Sequence, residues 1–438
     1  MSKDPTMEVD EDEEARQVPQ KDEDDDAEDS SSDDDDGEDN VYIPGDKLEE
    51  GETLTVDENA YNIYHQCSLG PPCLSFDIIH DQVKQDYPLS VTCVAGTQAA
   101  KVTANNIIVF RMSNLNCVRP RDEDEDSDID EPEEEKPFLK MAGIKHAGCV
   151  NRVKYTKIGP TPVAAAWGEN GTVGVWNLTN VLSRLDLPGK EVYKEETTPL
   201  QAFSGHGTEG FALDWSGTES GVLASGDCNK NIHVWSPAEG GVWNINSAPY
   251  SSHTRSVEDI RWSPNEKSVM ASCSCDRTIK IWDVRAEPSQ ACMLTQGNAH
   301  FSDVNVIDWN PSDPFIISGG DDGIIKVWDL RSFGGISDPV ATFKHHTSPV
   351  TSLEWHKDDN TVFASSGADD QIALWDLALE RDTEAGAEDE KLKGLPPQLL
   401  FIHQGLQDIK EVHWHSKISG LIVATSHTGF DVFKTISV

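Results

Sequence analysis

No run of 18 apolar residues occurs in the 438-residue chain, so no membrane-spanning helix is expected. Basic residues are scarce, with 35 Lys and Arg against 78 Asp and Glu, a net charge of −43. Such a balance repels nucleic-acid phosphates and draws in basic partners. The nine cysteines include no Cys-x-x-Cys pair. Cys273 and Cys275 are one residue apart and would share a strand face, so reduced thiols in an intracellular protein are expected, not a disulfide framework. The N-terminus is acidic and lacks an apolar stretch, which argues against a secretory signal. No compact basic cluster reads as a nuclear import signal. Phosphate-binding loops, dinucleotide fingerprints, nucleophile elbows and His-Glu-x-x-His are all missing. The chain is therefore expected to be no enzyme and to hold no cofactor and no metal. His345-His346 is one metal-like pair, and the repeat described below accounts for His346.

The acid is unevenly placed. Residues 1–40 hold 20 acids and 3 bases, residues 121–135 hold 11 and 1, and residues 380–390 hold 6 and 1. The remainder carries 41 acids and 30 bases, an ordinary surface. Charge runs of this kind repel themselves and commonly act as interaction tails. Within residues 1–40, Ser30, Ser31 and Ser32 precede Asp33 to Asp36 and are candidate sites for an acid-directed kinase. Phosphorylation would add about 1.5–2 negative charges per site.

What the sequence does contain is a repeat. The stretch Ser318 to Leu330 reads SGGDDGIIKVWDL, and related stretches stand at Cys273 to Val284, Gly367 to Leu377 and Gly226 to Trp235. The closing aromatics are Phe110, Trp176, Trp235, Trp282, Trp328, Trp375 and Phe433, with middle spacings of 47, 46 and 47 residues. His146, His206, His253, His300, His346 and His403 each lie 28 to 30 residues before one of them. A further aromatic at Trp215, Trp262, Trp309, Trp355 or Trp414 closes a short alternating strand in between. Four strands with a His near the start and Trp-Asp near the end mark a WD repeat. The expected fold is all-β, a seven-bladed propeller, with an N-terminal helix and disordered acidic segments.

A four-stranded blade cannot bury both faces alone, so neighbours must pack. The expectation is that Trp235, Trp282, Trp328 and Trp375 fill the space between blades. The histidines (His206, His253, His300, His346) and turn acids (Asp276, Asp322, Asp369) would hydrogen-bond at a buried edge. Left unpaired, each such group costs ~1–3 kcal/mol. One His per repeat argues against a shared metal or acid–base site.

The expected organisation is a disordered acidic tail over 1–40, a turn and helix over 41–72, and the propeller over 73–438. Acidic loops interrupt it at 121–135 and 380–397. Residues 184–197 and 237–250 read as extra loops. The helix is expected over Leu54 to His65, because Val56, Ala60, Ile63 and Tyr64 recur at i, i+4, i+7 and i+8, with Thr55 or Asp57 as cap. CLSFDII, from Cys73 to Ile79, alternates as a strand and is expected to close the ring beside Leu421 to Phe433. The acidic loop would join blade six to the last blade, next to the helix. Together they would form a groove for a basic amphipathic segment. The candidate partner-binding residues are Tyr61, Ile63 and Tyr64, then Asp382, Glu384, Glu388, Asp389 and Glu390. Asp122, Glu123, Asp124, Glu125 and Asp126 of the first insertion are added as a second acidic arm.

The segment VYIPG…DENAYNIYHQCSLGPPCLSFDII, followed by AGTQA and NNIIVFRMSNL, resembles the glutamate-rich WD-repeat proteins of ribosome biogenesis. More distantly the chain is similar to the retinoblastoma-binding histone chaperones, in which an N-terminal helix and an acidic loop ending in Pro-Pro grip a histone helix. Tyr61, Ile63, Tyr64 and residues 380–397 occupy the matching places. The resemblance implies a non-enzymatic chaperone and assembly factor for a highly basic large-subunit ribosomal protein of the L-three type. It would deliver that protein to pre-ribosomal particles as a monomer, in the nucleolus and nucleus with a cytoplasmic pool, without binding nucleic acid directly or any membrane. Core histones are further partners that it implies. Two alternatives stand beside this reading: a histone-binding subunit of a chromatin complex, and a substrate-adaptor scaffold for a ubiquitin ligase.

Overall fold

A computed structural model describes residues 42, 56–80, 85–118, 136–187, 193–195, 197–380 and 394–438. The chain divides into two units, Met1–Leu54 and Thr55–Val438. Tyr42 is the one described residue of the first. The candidate phosphorylation sites Ser30, Ser31 and Ser32 lie outside the described residues, as do Asp122 to Asp126 and the five acids between Asp382 and Glu390.

The second unit is a seven-bladed propeller. Blade one contains β2 (Cys73–Ile78), β3 (Leu89–Thr97), β4 (Asn106–Leu115) and β5 (Phe138–Lys145), counted from the inside outwards and following β1 (Tyr61–Cys67) in the chain. Blades two to six repeat the pattern, and the last of them is Val350–Trp355, Val362–Gly367, Ile372–Asp376 and Leu399–His403. Blade seven takes three strands from the C-terminal end, Glu411–Trp414, Ile422–Thr425 and Phe430–Thr435, and its outer strand is β1. The innermost strands touch their neighbours in a closed ring.

Blades adhere through buried aromatics and a repeated hydrogen bond. Trp235, Trp282, Trp328 and Trp375 are nearly inaccessible. The indole Nε1 of Trp215, Trp262, Trp309 and Trp414 donates to the inner strand of the preceding blade, at Lys154, Asp214, Arg261 and Glu354 carbonyls, over 2.9–3.1 Å. Each large ring thus buries its area and satisfies its one polar atom at once. The turn between the second and third strands needs a left-handed residue. Gly323 fills it in blade five with φ 69°, where a Cβ would come within 2.6 Å of the His346 carbonyl.

The structure corrects the N-terminal expectations. Among the described residues there, helical structure is one short turn, Glu58–Ala60, whose cap is Asp57 accepting from Asn59 N at 2.9 Å; Leu54 and Thr55 lie outside the described residues. Tyr61–Cys67 is a strand, and it closes the ring. CLSFDII does not pair with the last blade, because Cys73–Ile78 is the innermost strand of blade one, paired with β3. The reason is chain reach: β1 occupies the open edge of Phe430–Thr435, leaving the next strand to begin a new blade. The second acidic insertion also falls elsewhere. It lies inside blade six, between Ile372–Asp376 and Leu399–His403, and does not join two blades. Within 237–250, Val242–Ile245 is the outer strand of blade three, and within 184–197 Tyr193–Glu195 pairs in parallel with β5.

Candidate partner-binding site

Four of the repeated histidines anchor buried networks. Nδ1 of His206, His253, His300 and His346 meets Asp227, Asp276, Asp322 and Asp369 at 2.9–3.0 Å. Their Nε2 atoms meet the hydroxyls of Ser225, Ser272, Ser318 and Ser365 at 2.7–2.8 Å. Each serine also accepts the indole N–H of Trp235, Trp282, Trp328 or Trp375 at 2.8–3.0 Å. Asp227 and the serines escaped the sequence reading. Their signal was present, since each serine stands ten residues before its tryptophan. Burial pushes the His253 imidazole below its usual range, against the pull of Asp276. Burial raises the Asp276 carboxyl, yet bonds from His253, Thr278 and Thr254 N outweigh it and hold that carboxyl low. These networks tie each blade's loops to its strands, and every polar atom in them is occupied.

A second charged group lies on the innermost strands. Glu411 pairs with Arg152, and Glu354 pairs with Lys357. His413 bridges Glu354 at 2.5 Å and Glu411 at 3.4 Å. Burial pushes the half-buried Asp214 carboxyl up to about 6, despite Arg261 nearby. These groups are engaged with one another, and among the described residues no cluster has the ligands for a metal ion.

Of the partner-binding candidates, Tyr61, Ile63 and Tyr64 lie on the outer strand of blade seven. Tyr61 and Ile63 are buried and Tyr64 is half-buried. A register shift between Tyr61 and Ile63 turns them to opposite sides. Tyr61 and Tyr64 then join the cluster between blades six and seven, while Ile63 joins the one towards blade one. The Tyr61 ring stacks on Tyr64 at 5.1 Å and meets Phe401 edge-on at 5.4 Å. Burial, with Asp431 nearby, pushes the Tyr64 phenol up to about 12, so it stays a neutral hydrogen-bonding group.

Both acidic insertions are rooted around this patch. Blades six, seven and one are consecutive in the ring. Each insertion leaves between the third and the outer strand, so both emerge on the same face, one on either side of β1. Val118 N donates to Asn62 O at 3.0 Å, and His65 Nε2 lies 3.0 Å from Asn116 O, so the chain runs along β1 as it enters the first insertion. The second is pinned at its base, where Gln398 Nε2 donates to Leu379 O at 3.1 Å. Val118, before one insertion, and Leu400 and Phe401, after the other, pack on the same cluster as Tyr61 and Tyr64. Leu399 to Ile402 are all half-buried. An incompletely covered apolar strip therefore lies between the entries of two acid-rich segments.

Comparison with known proteins follows the same geography. A protein described as "Glutamate-rich WD repeat-containing protein 1", from Dictyostelium discoideum, is 40% identical over 89% of this chain and 83% of its own. The chain belongs to the glutamate-rich WD-repeat family. Two further relatives are similar over most of their length. "Ribosome assembly protein rrb1" of Schizosaccharomyces pombe is 39% identical over 90% of this chain and 84% of its own. "Protein HEAT STRESS TOLERANT DWD 1" of Arabidopsis thaliana is 38% identical over 91% and 92%. The family described as "Histone-binding protein RBBP4", which also takes in a component of the CAF1 complex, matches residues 51–116, a span that holds the closing strand and most of blade one. The WD domain, G-beta repeat, matches residues 197–236, 246–283, 291–329 and 337–376. Among solved structures, the WD40 beta propeller domain of Doa1 is alike in fold, with a TM-score of 0.57 over 86% of this chain and 97% of that one at 17% identity.

Proposed function

We propose that this protein is a non-catalytic assembly chaperone of ribosome biogenesis, which holds a highly basic large-subunit ribosomal protein and delivers it to pre-ribosomal particles. One observation carries the reading: the apolar strip of Tyr64, Leu400 and Phe401 lies between the roots of two insertions holding 11 and 6 acids. An amphipathic basic segment would lay its apolar side on the strip and its Lys and Arg side chains among the acids. The name of the fission yeast relative, a ribosome assembly protein, supports the same direction. Acid arms would hold the client away from RNA until delivery, in the nucleolus and nucleus with a cytoplasmic pool.

The test is a tagged pull-down from extract at low and high salt, comparing the intact chain with chains lacking 1–40, 121–135 or 380–390. One basic ribosomal protein should dominate and should be lost on deletion or at high salt. Capture indifferent to both treatments would reject the reading.

A second reading is favoured by the match at residues 51–116, which contains Tyr61, Ile63 and Tyr64. In it the same strip takes a histone helix. Histones, and no ribosomal protein, would then dominate the same pull-down.

A further inference from the structure

The outer strands of the blades are finished in different ways, and that of blade six is left open. An edge strand presents unpaired N–H and C=O groups to any chain that can pair with it, so edges are ordinarily covered, shortened or charged. In blade one, Tyr193–Glu195 lies along β5. In blade seven, the chain entering the first insertion runs along β1, where Val118 N donates to Asn62 O. Blade four is flanked by Gly335, whose N–H donates to the Thr295 carbonyl and whose carbonyl accepts from Gly297 N, both at 2.8 Å. In blade three, the Gln201 side chain takes both backbone groups of Trp243, at 2.6 and 2.8 Å. Blade two ends in a strand of three residues, Gln201–Phe203, and blade five in Ala341–Lys344, where Thr342 and Lys344 are exposed.

Leu399–His403 has none of these devices. It is the outermost strand of blade six, and no described strand pairs with its far edge. Leu399, Leu400, Phe401 and Ile402 are consecutive apolar residues, all half-buried, with no charge and no proline among them. Leu399 packs towards blade five, and Leu400 and Phe401 pack towards blade seven. Both faces of the strand therefore carry apolar surface that is only partly covered. A further strand would cover both faces and pair the edge amides in one step. A helix laid on the strip would cover one face and leave those amides without partners.

We infer that blade six takes an added β-strand from its partner: a segment that is extended, apolar at every second position and basic between. The inference rests on the reading above, that this strip holds a basic client, and names the conformation in which the client docks. Main-chain pairing along Leu399–His403 supplies affinity, and the apolar side chains of the added strand settle against Tyr64 and Phe401. Its Lys and Arg residues meet the charge of residues 380–390, which hold 6 acids and 1 base and precede the strand in the chain.

The experiment uses the full chain and fluorescence anisotropy with two short peptides of one composition, Lys, Val and Leu. In one, apolar and basic residues alternate; in the other they follow the helical period. The alternating peptide should bind at least about tenfold more tightly. Methylating every second backbone amide should abolish that binding in one register and spare it in the other, because only alternate amides face the neighbouring strand. Leu400→Lys, which puts a charge on the open edge, should remove the preference, and Val242→Lys on blade three should not. Equal or tighter binding of the helical-period peptide overturns the inference and leaves the client reading standing. So does indifference to methylation in both registers, or a preference that survives Leu400→Lys. Binding of neither peptide also overturns it, while the pull-down still decides the client reading by itself. A dimer in light scattering that the alternating peptide dissociates would put a second copy on the edge. Tighter peptide binding after deletion of 380–390 would put the chain's own insertion there. Either result overturns the inference.

Discussion

The Tyr61 hydroxyl meets Nδ1 of His403 at 2.7 Å, joining the outer strand of blade seven to the outer strand of blade six across 342 residues of chain. A ring of blades is only as stable as its closure, and this buried contact is part of it. Tyr61→Phe should cost ~1–3 kcal/mol by leaving a buried nitrogen unpaired. Tyr61→Ala should cost ~3–5 kcal/mol, because it also takes the ring out of the cluster with Phe401 and Phe433. Urea denaturation measures both. A Tyr61→Phe variant as stable as the parent would mean that the bond contributes nothing to closure.

The loop networks should behave as units. His300→Ala and Ser318→Ala each remove one partner of a chain that runs Asp322, His300, Ser318, Trp328. Each single variant should lose ~1–3 kcal/mol, and the double variant less than their sum. Strict additivity in the denaturation midpoints would show that the two side chains act separately.

Acid lability has a named contributor. His415 Nδ1 accepts backbone N–H groups of Lys417 and Ile418 at 3.1 and 3.0 Å, which a protonated ring cannot do. Burial, with His80 and Lys417 nearby, lowers this imidazole from 6.5 to about 4. Between those values the unfolded chain binds the extra proton. Its stabilising effect is therefore complete above pH 6.5 and is lost as pH falls towards 4, by ~3 kcal/mol. His413, two residues earlier, has the opposite sign. It is raised by Glu354 and Glu411 against burial and Lys154, so its contribution is lost as pH rises through its folded value. His415→Gln should flatten the decline of stability between pH 7 and 5, and His413→Gln should steepen it. The same slope in all three proteins would exclude both histidines.

The acid arms should act on encounter more than on residence. Neutralising Asp382, Glu384, Glu388, Asp389 and Glu390 as amides should slow association with a basic client several-fold and reduce its salt dependence, leaving dissociation nearly unchanged. Stopped-flow mixing separates the two rates. A change confined to dissociation would instead make these acids part of the bound interface.

The propeller was legible because its constraints recur. Each blade buries one closing aromatic, and blades three to six each satisfy one His as well, so Trp235, Trp282 and Trp328 keep their spacing whatever the loops do. The closing strand was not legible for the same reason in reverse: it occurs once. Val56, Ala60, Ile63 and Tyr64 fit a helical stripe, while YNIYHQC also fits a strand with a bulge. Only the open edge of Phe430–Thr435, more than 360 residues away, decides between them. Alternation in CLSFDII likewise marks a strand without saying which position in a blade it takes. The convergence at Tyr61 and Tyr64 could be anticipated in outline, since the acid runs are plain in the sequence. That Val118 and Phe401 share a cluster with them depends on the ring order six, seven, one.

The central claim is best tested by photo-crosslinking in cells, with a benzoyl-phenylalanine placed at Tyr64, at Leu400 or, as a control on blade three, at Val242. A basic large-subunit ribosomal protein should be captured from Tyr64 and Leu400 and not from Val242. Capture of that protein from Val242 alone, or of histones alone from Tyr64 and Leu400, would contradict the account.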